Sequence, residues 1–156
     1  MSEIQEFTLT LTQEEDFVFR IAFDETNIPD LLGDEPPPQG GSRGPNPSRL
    51  LVAAVANCLS ASLLFSLRKF KNQPGTLVTH ARARLERNEH NRLRVAHIDV
   101  SIDLPEAATD YAFAERLLAQ FENFCVVTES VRAGIAVDVT VRDGNGAVVH
   151  DSRQTA

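Results

Sequence analysis

The chain has 156 residues, an ordinary globular composition with 42% hydrophobic residues, a formal net charge of −7 and a pI near 5.0. That length suits one domain, residues 1–156, large enough to bury most of its apolar surface. The acidic balance presents no basic stripe to phosphates and argues against a nucleic-acid partner.

The amino terminus carries neither a basic n-region nor an apolar h-region, so no secretory signal is expected. Residues 6–12 alternate Thr with Phe and Leu, and residues 16–24 place Phe17, Phe19, Ile21 and Phe23 on one face. This period-two pattern predicts a hairpin of half-buried strands with its turn at residues 13–16. Residues 28–32 suit a short third strand. Residues 33–43 contain consecutive prolines followed by Gly40-Gly41, which predicts an irregular surface loop leading into a helix.

That helix dominates the sequence. Asn46 is a good N-cap and Pro47 suits the first helical position, where a missing N–H costs nothing. Residues 50–67 are apolar or small on every side, interrupted only by Asn57, Ser60, Ser62 and Ser66. Such a helix is expected to be buried. It is barely long enough for a bilayer and its polar residues disfavour a membrane span. Arg68, Lys69 and Lys71 close it with charge matched to the macrodipole. Cys58, one of two cysteines in the chain, lies within it and shares helical spacing with Leu51, Ala54, Val55, Ser62 and Phe65. A helix this apolar in a chain this small points to a homodimer in which a second subunit covers part of it.

Beyond the turn at Pro74-Gly75, Leu77, Thr79, Ala81, Ala83 and Leu85 alternate with polar residues, predicting a long strand. Its partner, residues 92–104, buries Ala96, Ile98, Val100, Ile102 and Leu104. The arginines between Arg82 and Arg94 form a solvated strand face. A second helix is expected after Thr109 or Asp110, with Phe113, Leu117, Leu118 and Phe121 as its apolar stripe. Residues 128–132, with Thr128 as cap, suit a short third helix. Residues 135–142 and 147–151 are strands joined by the tight-turn sequence Asp-Gly-Asn-Gly at residues 143–146. The pattern predicts an α+β fold, with sheets packing their apolar faces on helices.

Chemistry narrows to the thiols. His80, His90, His97 and His150 lack ligand spacing and are expected to be exposed strand histidines, so no metal or other cofactor is predicted. No serine sits in a Gly-x-Ser-x-Gly elbow. Burial alone raises a thiol's pKa, and Cys58 is too far from the helix start for the dipole to help. A reactive Cys58 needs a cation, for which Arg20, Arg43 and Arg49 are the candidates. Arg20 is the most pointed of these, since it interrupts an otherwise apolar strand.

Asn46-Pro47, Leu50 and an Ala-rich helix reaching Cys58, followed later by Cys125-Val126-Val127-Thr128, resemble the two motifs of the OsmC/Ohr family. The resemblance covers essentially the whole chain. It implies an intertwined homodimer with antiparallel sheets packed on the central helices. It further implies reduction of organic hydroperoxides, with Cys58 peroxidatic, Cys125 resolving it as a disulfide, and a dithiol reductant restoring the pair. Three departures stand out. Ser48 occupies the position of the family's Glu after Asn-Pro, residues 13–16 lack the family's hairpin Arg, and Val126 replaces a proline. In the family that Arg–Glu pair favours the thiolate, and Arg20 is the candidate to stand in for it. The expected function is therefore a cytoplasmic, OsmC-like thiol peroxidase. The alternative is a non-catalytic relative that binds a small apolar ligand at the dimer interface.

Overall fold

The computed structural model describes residues 4–154, which fall into two compact units, Met1–Leu50 and Leu51–Ala156. It is a mixed α+β structure with two sheets and one long helix.

In the first unit, β1 (Leu9–Glu15), β2 (Val18–Phe23) and β3 (Leu31–Gly33) form an antiparallel sheet in sequence order. The first strand continues through Glu15, so the hairpin turns later than its sequence suggests. Asp16 takes positive φ there, a conformation Asp tolerates, and its carbonyl accepts the Gln13 side-chain amide at 2.8 Å. Burial does not follow the predicted alternation. Val18 and Ile21 are buried, whereas Phe17 and Phe19 remain exposed. Among its described residues, beyond the opening turn of the long helix, this unit has no helix to cover a sheet face.

The proline-rich loop is ordered around one carboxylate. Asp34 is buried and accepts backbone N–H groups from Glu35, Gly41 and Arg43 at 2.7, 3.0 and 3.0 Å. Glycine is required at position 44, because a Cβ there would lie 1.9 Å from the Leu32 carbonyl oxygen.

The long helix, α1 (Pro47–Lys69), starts as predicted: Asn46 Oδ1 accepts the Arg49 N–H at 3.0 Å. Arg68 and Lys69 lie in its last turn. Just beyond, Asn72 makes a two-way clasp with Ala112, its amide donating at 3.0 Å and its oxygen accepting at 2.7 Å. This ties the helix end to the chain entering the second helix.

The second unit is a four-stranded sheet, β4 (Val78–Arg87), β5 (Leu93–Asp103), β6 (Ala136–Arg142) and β7 (Val148–Asp151), in that order. The pairs β4/β5 and β6/β7 are antiparallel, as expected. The β5/β6 pair is parallel, which its connection permits because α2 (Ala114–Gln120) and α3 (Val126–Arg132) supply the crossover. Ile98, Val100 and Ile102 of β5 and Val137, Val139 and Val141 of β6 face Val55, Leu59, Leu63 and Leu67 of α1, with Leu117, Leu118 and Phe121 completing the core.

Three expectations about the helices need correction. Burial of α1 is one-sided: its packed stripe runs through Val55, Leu59, Ser62, Leu63, Ser66 and Leu67, while Ala54, Asn57 and Ala61 are open and Phe65 is 61% exposed. Apolar character on all sides is thus satisfied on only one side within the chain. Phe113 is not part of the α2 stripe, because it takes left-handed φ of 58° before the helix begins and points outward. Thr128 does not cap the third helix, which starts earlier, with Cys125 at the cap position.

Candidate active site

Cys58 projects from α1 at the border of its packed stripe and is half-buried against the core. Cys125 is 0% exposed and occupies the bend between a 3₁₀ turn (Phe121–Phe124) and α3. The bend is stitched locally, with the Cys125 N–H donating to Glu122 and its carbonyl accepting from Glu129, each at 3.0 Å. The Cys125 thiol donates to the Thr128 hydroxyl at 2.9 Å. Both sulfurs are free thiols.

The two cysteines act on one another electrostatically. Burial pushes the Cys125 thiol up, and Cys58 pushes it further through hydrogen bonding and charge, while Thr128 pulls it partly back. A buried thiol beside a second sulfur favours its protonated form because burial removes the solvent that would stabilise the charge. The pair is therefore built from two elements far apart in sequence that meet in the core of the second unit.

Arg20, the predicted cation, lies on β2 in the first unit. Its guanidinium meets Glu14 at 2.5 Å and Asp30 at 3.8 Å. The rival Arg43 pairs with Glu15, and Arg49 is exposed in the first turn of α1. The hairpin that lacks an arginine at residues 13–16 thus offers carboxylates to Arg20 and Arg43. Ser60, part of no hydrolytic motif, hydrogen-bonds the Ala56 carbonyl at 2.8 Å and the Thr79 hydroxyl at 2.6 Å.

The histidines divide. His80 and His90 are exposed as expected, but His97 and His150 are not. The parallel ladder sets Asp99 beside Asp138, and the His97 ring lies 3.2 Å from the first and 2.8 Å from the second. Among the described residues this group brings three potential ligand atoms within 4.8 Å of one another. Sequence spacing shows only His97 and Asp99, since Asp138 arrives through the sheet. His150 is a second case. Its side chain is 7% exposed and its ring contacts both Glu122 and the edge of Phe121, with ring centroids 5.0 Å apart.

The sequence profile described as OsmC-like protein matches residues 39–140. The chain belongs to the OsmC-like protein family. Solved structures share its fold at low identity. An organic hydroperoxide resistance protein from Elizabethkingia anophelis superposes with a TM-score of 0.71 at 17% identity, covering 92% of this chain and 99% of that one. OhrB of Bacillus subtilis, also an organic hydroperoxide resistance protein, gives 0.64 at 18% identity, covering 87% and 98%. A putative osmotic stress induced and detoxification response protein from Psychrobacter arcticus gives 0.72 at 16%, covering 91% and 100%. No protein of curated function matches the sequence. The OsmC-like match includes both cysteines and the whole of α1.

Proposed function

We propose that this OsmC-like protein is a thiol-dependent peroxidase of oxidative-stress defence, acting on organic or other hydroperoxides as a cytoplasmic homodimer. The observation that carries the reading is the meeting of Cys58 and Cys125 as interacting free thiols in one core. Membership of a family whose fold is shared with organic hydroperoxide resistance proteins supports it.

In this reading the Cys58 thiolate attacks the peroxide oxygen, breaking the O–O bond. The alkoxide leaves and takes a proton as the alcohol, and Cys58 becomes a sulfenic acid. Cys125 then attacks the Cys58 sulfur, expelling water and closing a disulfide. The sum is ROOH plus two thiols giving ROH, water and one disulfide. A dithiol reductant returns both sulfurs to thiols.

Arg20 is the proposed cation, drawn to the thiolate in competition with Glu14 and Asp30. The open side of α1, with Ala54, Ala61 and Phe65, is proposed to be covered by the second subunit.

The test is hydroperoxide consumption by the purified protein with a dithiol present. Turnover is expected in the parent, loss in Cys58→Ser, and a sulfenate trappable on Cys58 in Cys125→Ser. No turnover with any hydroperoxide, together with tight binding of a small apolar molecule, would replace this reading with the ligand-binding one.

A further inference from the structure

We propose that Glu122 is a positioning residue, which holds Cys125 within bonding reach of Cys58 by gripping His150 and Arg132. The inference rests on the thiol-pair reading above and goes beyond it to residues that neither cysteine motif includes.

Glu122 lies in the 3₁₀ turn that ends at Cys125, and its carboxylate is 12% exposed. One carboxylate oxygen meets the His150 ring, and the other lies 2.5 Å from the Arg132 guanidinium. Its own carbonyl accepts the Cys125 N–H at 3.0 Å. Glu122 therefore touches both ends of α3, the start through its backbone and the finish through its side chain, and links them to β7. The charge is retained in spite of burial. Desolvation pushes the Glu122 carboxyl up, but hydrogen bonds and charge from His150 and Arg132 outweigh it and leave it below the usual range.

Few other side chains fix this bend. Neither the 3₁₀ turn nor α3 has a side-chain cap. Phe121, the residue before Glu122, is buried in the core, and its ring meets the His150 ring edge to face. Arg132 is shared with Glu129, and Asp151 is the charged neighbour of His150 along β7. Removing the Glu122 carboxylate leaves the His150 ring without its buried acceptor and Arg132 with Glu129 alone, and frees the bend to shift. A displacement of an ångström is enough to matter, because a disulfide tolerates only a narrow range of Cα separations.

Equilibration with glutathione measures this directly. The protein dithiol and oxidised glutathione exchange to the Cys58–Cys125 disulfide and two reduced glutathiones. The glutathione S–S bond breaks, the protein S–S bond forms, and the thiol protons pass to glutathione. The equilibrium constant is the effective concentration of one cysteine at the other. Glu122→Ala is expected to lower it at least tenfold, a potential less negative by about 30 mV. Glu122→Gln, which keeps the hydrogen-bonding shape without the charge, is expected to fall between. Val100→Ala, a core change on β5 away from His150, is expected to lower the melting temperature while leaving the constant unchanged. If Glu122→Ala fails to fold, His150→Gln breaks the same link from the other side and should lower the constant as well.

A constant within twofold of the parent in the folded Glu122 and His150 variants overturns the proposal. So does an equal fall in Val100→Ala, or a parent that forms no Cys58–Cys125 disulfide. Peroxide turnover is scored separately. A parent with a normal constant and no turnover removes the peroxidase reading and leaves the positioning role standing.

Discussion

The Cys125 thiol donates a hydrogen bond to the Thr128 hydroxyl 2.9 Å away, inside the first turn of the helix that Cys125 begins. Both residues are fully buried, and this hydroxyl, with the Thr128 backbone, opposes the burial that pushes the Cys125 thiol up.

Replacing Thr128 by Val, nearly the same volume without the hydroxyl, removes the side chain's share of that opposition and leaves the backbone's. In a Cys58→Ser background the pH midpoint for alkylation of Cys125 is expected to rise. A midpoint that stays or falls would show that the hydroxyl does not support the charged sulfur.

Arg20→Met tests the proposed cation. With Cys125 changed to Ser, alkylation of Cys58 at neutral pH and its oxidation by hydroperoxide are expected to slow together, several-fold. Equal rates in parent and variant would eliminate Arg20. The same pair of measurements on Arg43→Met would then decide whether the guanidinium beside Glu15 has the role.

The one-sided packing of α1 predicts opposite outcomes one turn and a half apart. Leu59 is fully buried against β5 and β6, and Leu59→Ala should cost about 2–5 kcal/mol in a urea melt. Phe65 is 61% exposed, and its change to Ala should leave the folding of the chain within about 0.5 kcal/mol. The same Phe65 change is expected to weaken the proposed dimer, which sedimentation at decreasing concentration would detect.

Asp34 predicts an acid dependence. The Arg43 N–H, opposed by desolvation and joined by the N–H groups of Gly41 and Glu35, holds its carboxyl below the ordinary value of 3.8. A depressed carboxyl contributes stability that is present above the unfolded pKa and lost as pH falls through the folded one. Asp34→Asn should therefore lower the melting temperature at neutral pH and flatten its decline below about pH 4. An unaltered pH profile would mean that the loop around Asp34 adds nothing to stability.

Local chemistry was enough for the elements. Asn46-Pro47 signals the start of α1, Asp143–Gly146 the last hairpin, and the alternation in β5 and β6 the face that fills the core. These signals are read within a few residues, so the chain itself carries them. Residues 46–58 and 125–128 likewise marked the family and the pair of thiols. What the sequence left open depends on which side of an element is covered. The apolar surface of α1 does not say which stripe meets the sheet, and in the chain its fully buried core residues are Val55, Leu59, Leu63 and Leu67. Phe113 fits a helical stripe by spacing, yet its left-handed backbone turns it outward. Histidine pattern alone gave His97 and His150 as surface residues. Only tertiary structure brings Asp138 to His97 across a parallel ladder, and Glu122 to His150 across 28 residues of chain. The physical reason is that a polar side chain is buried or solvated according to the partner it finds, and that partner lies beyond the range of any local pattern.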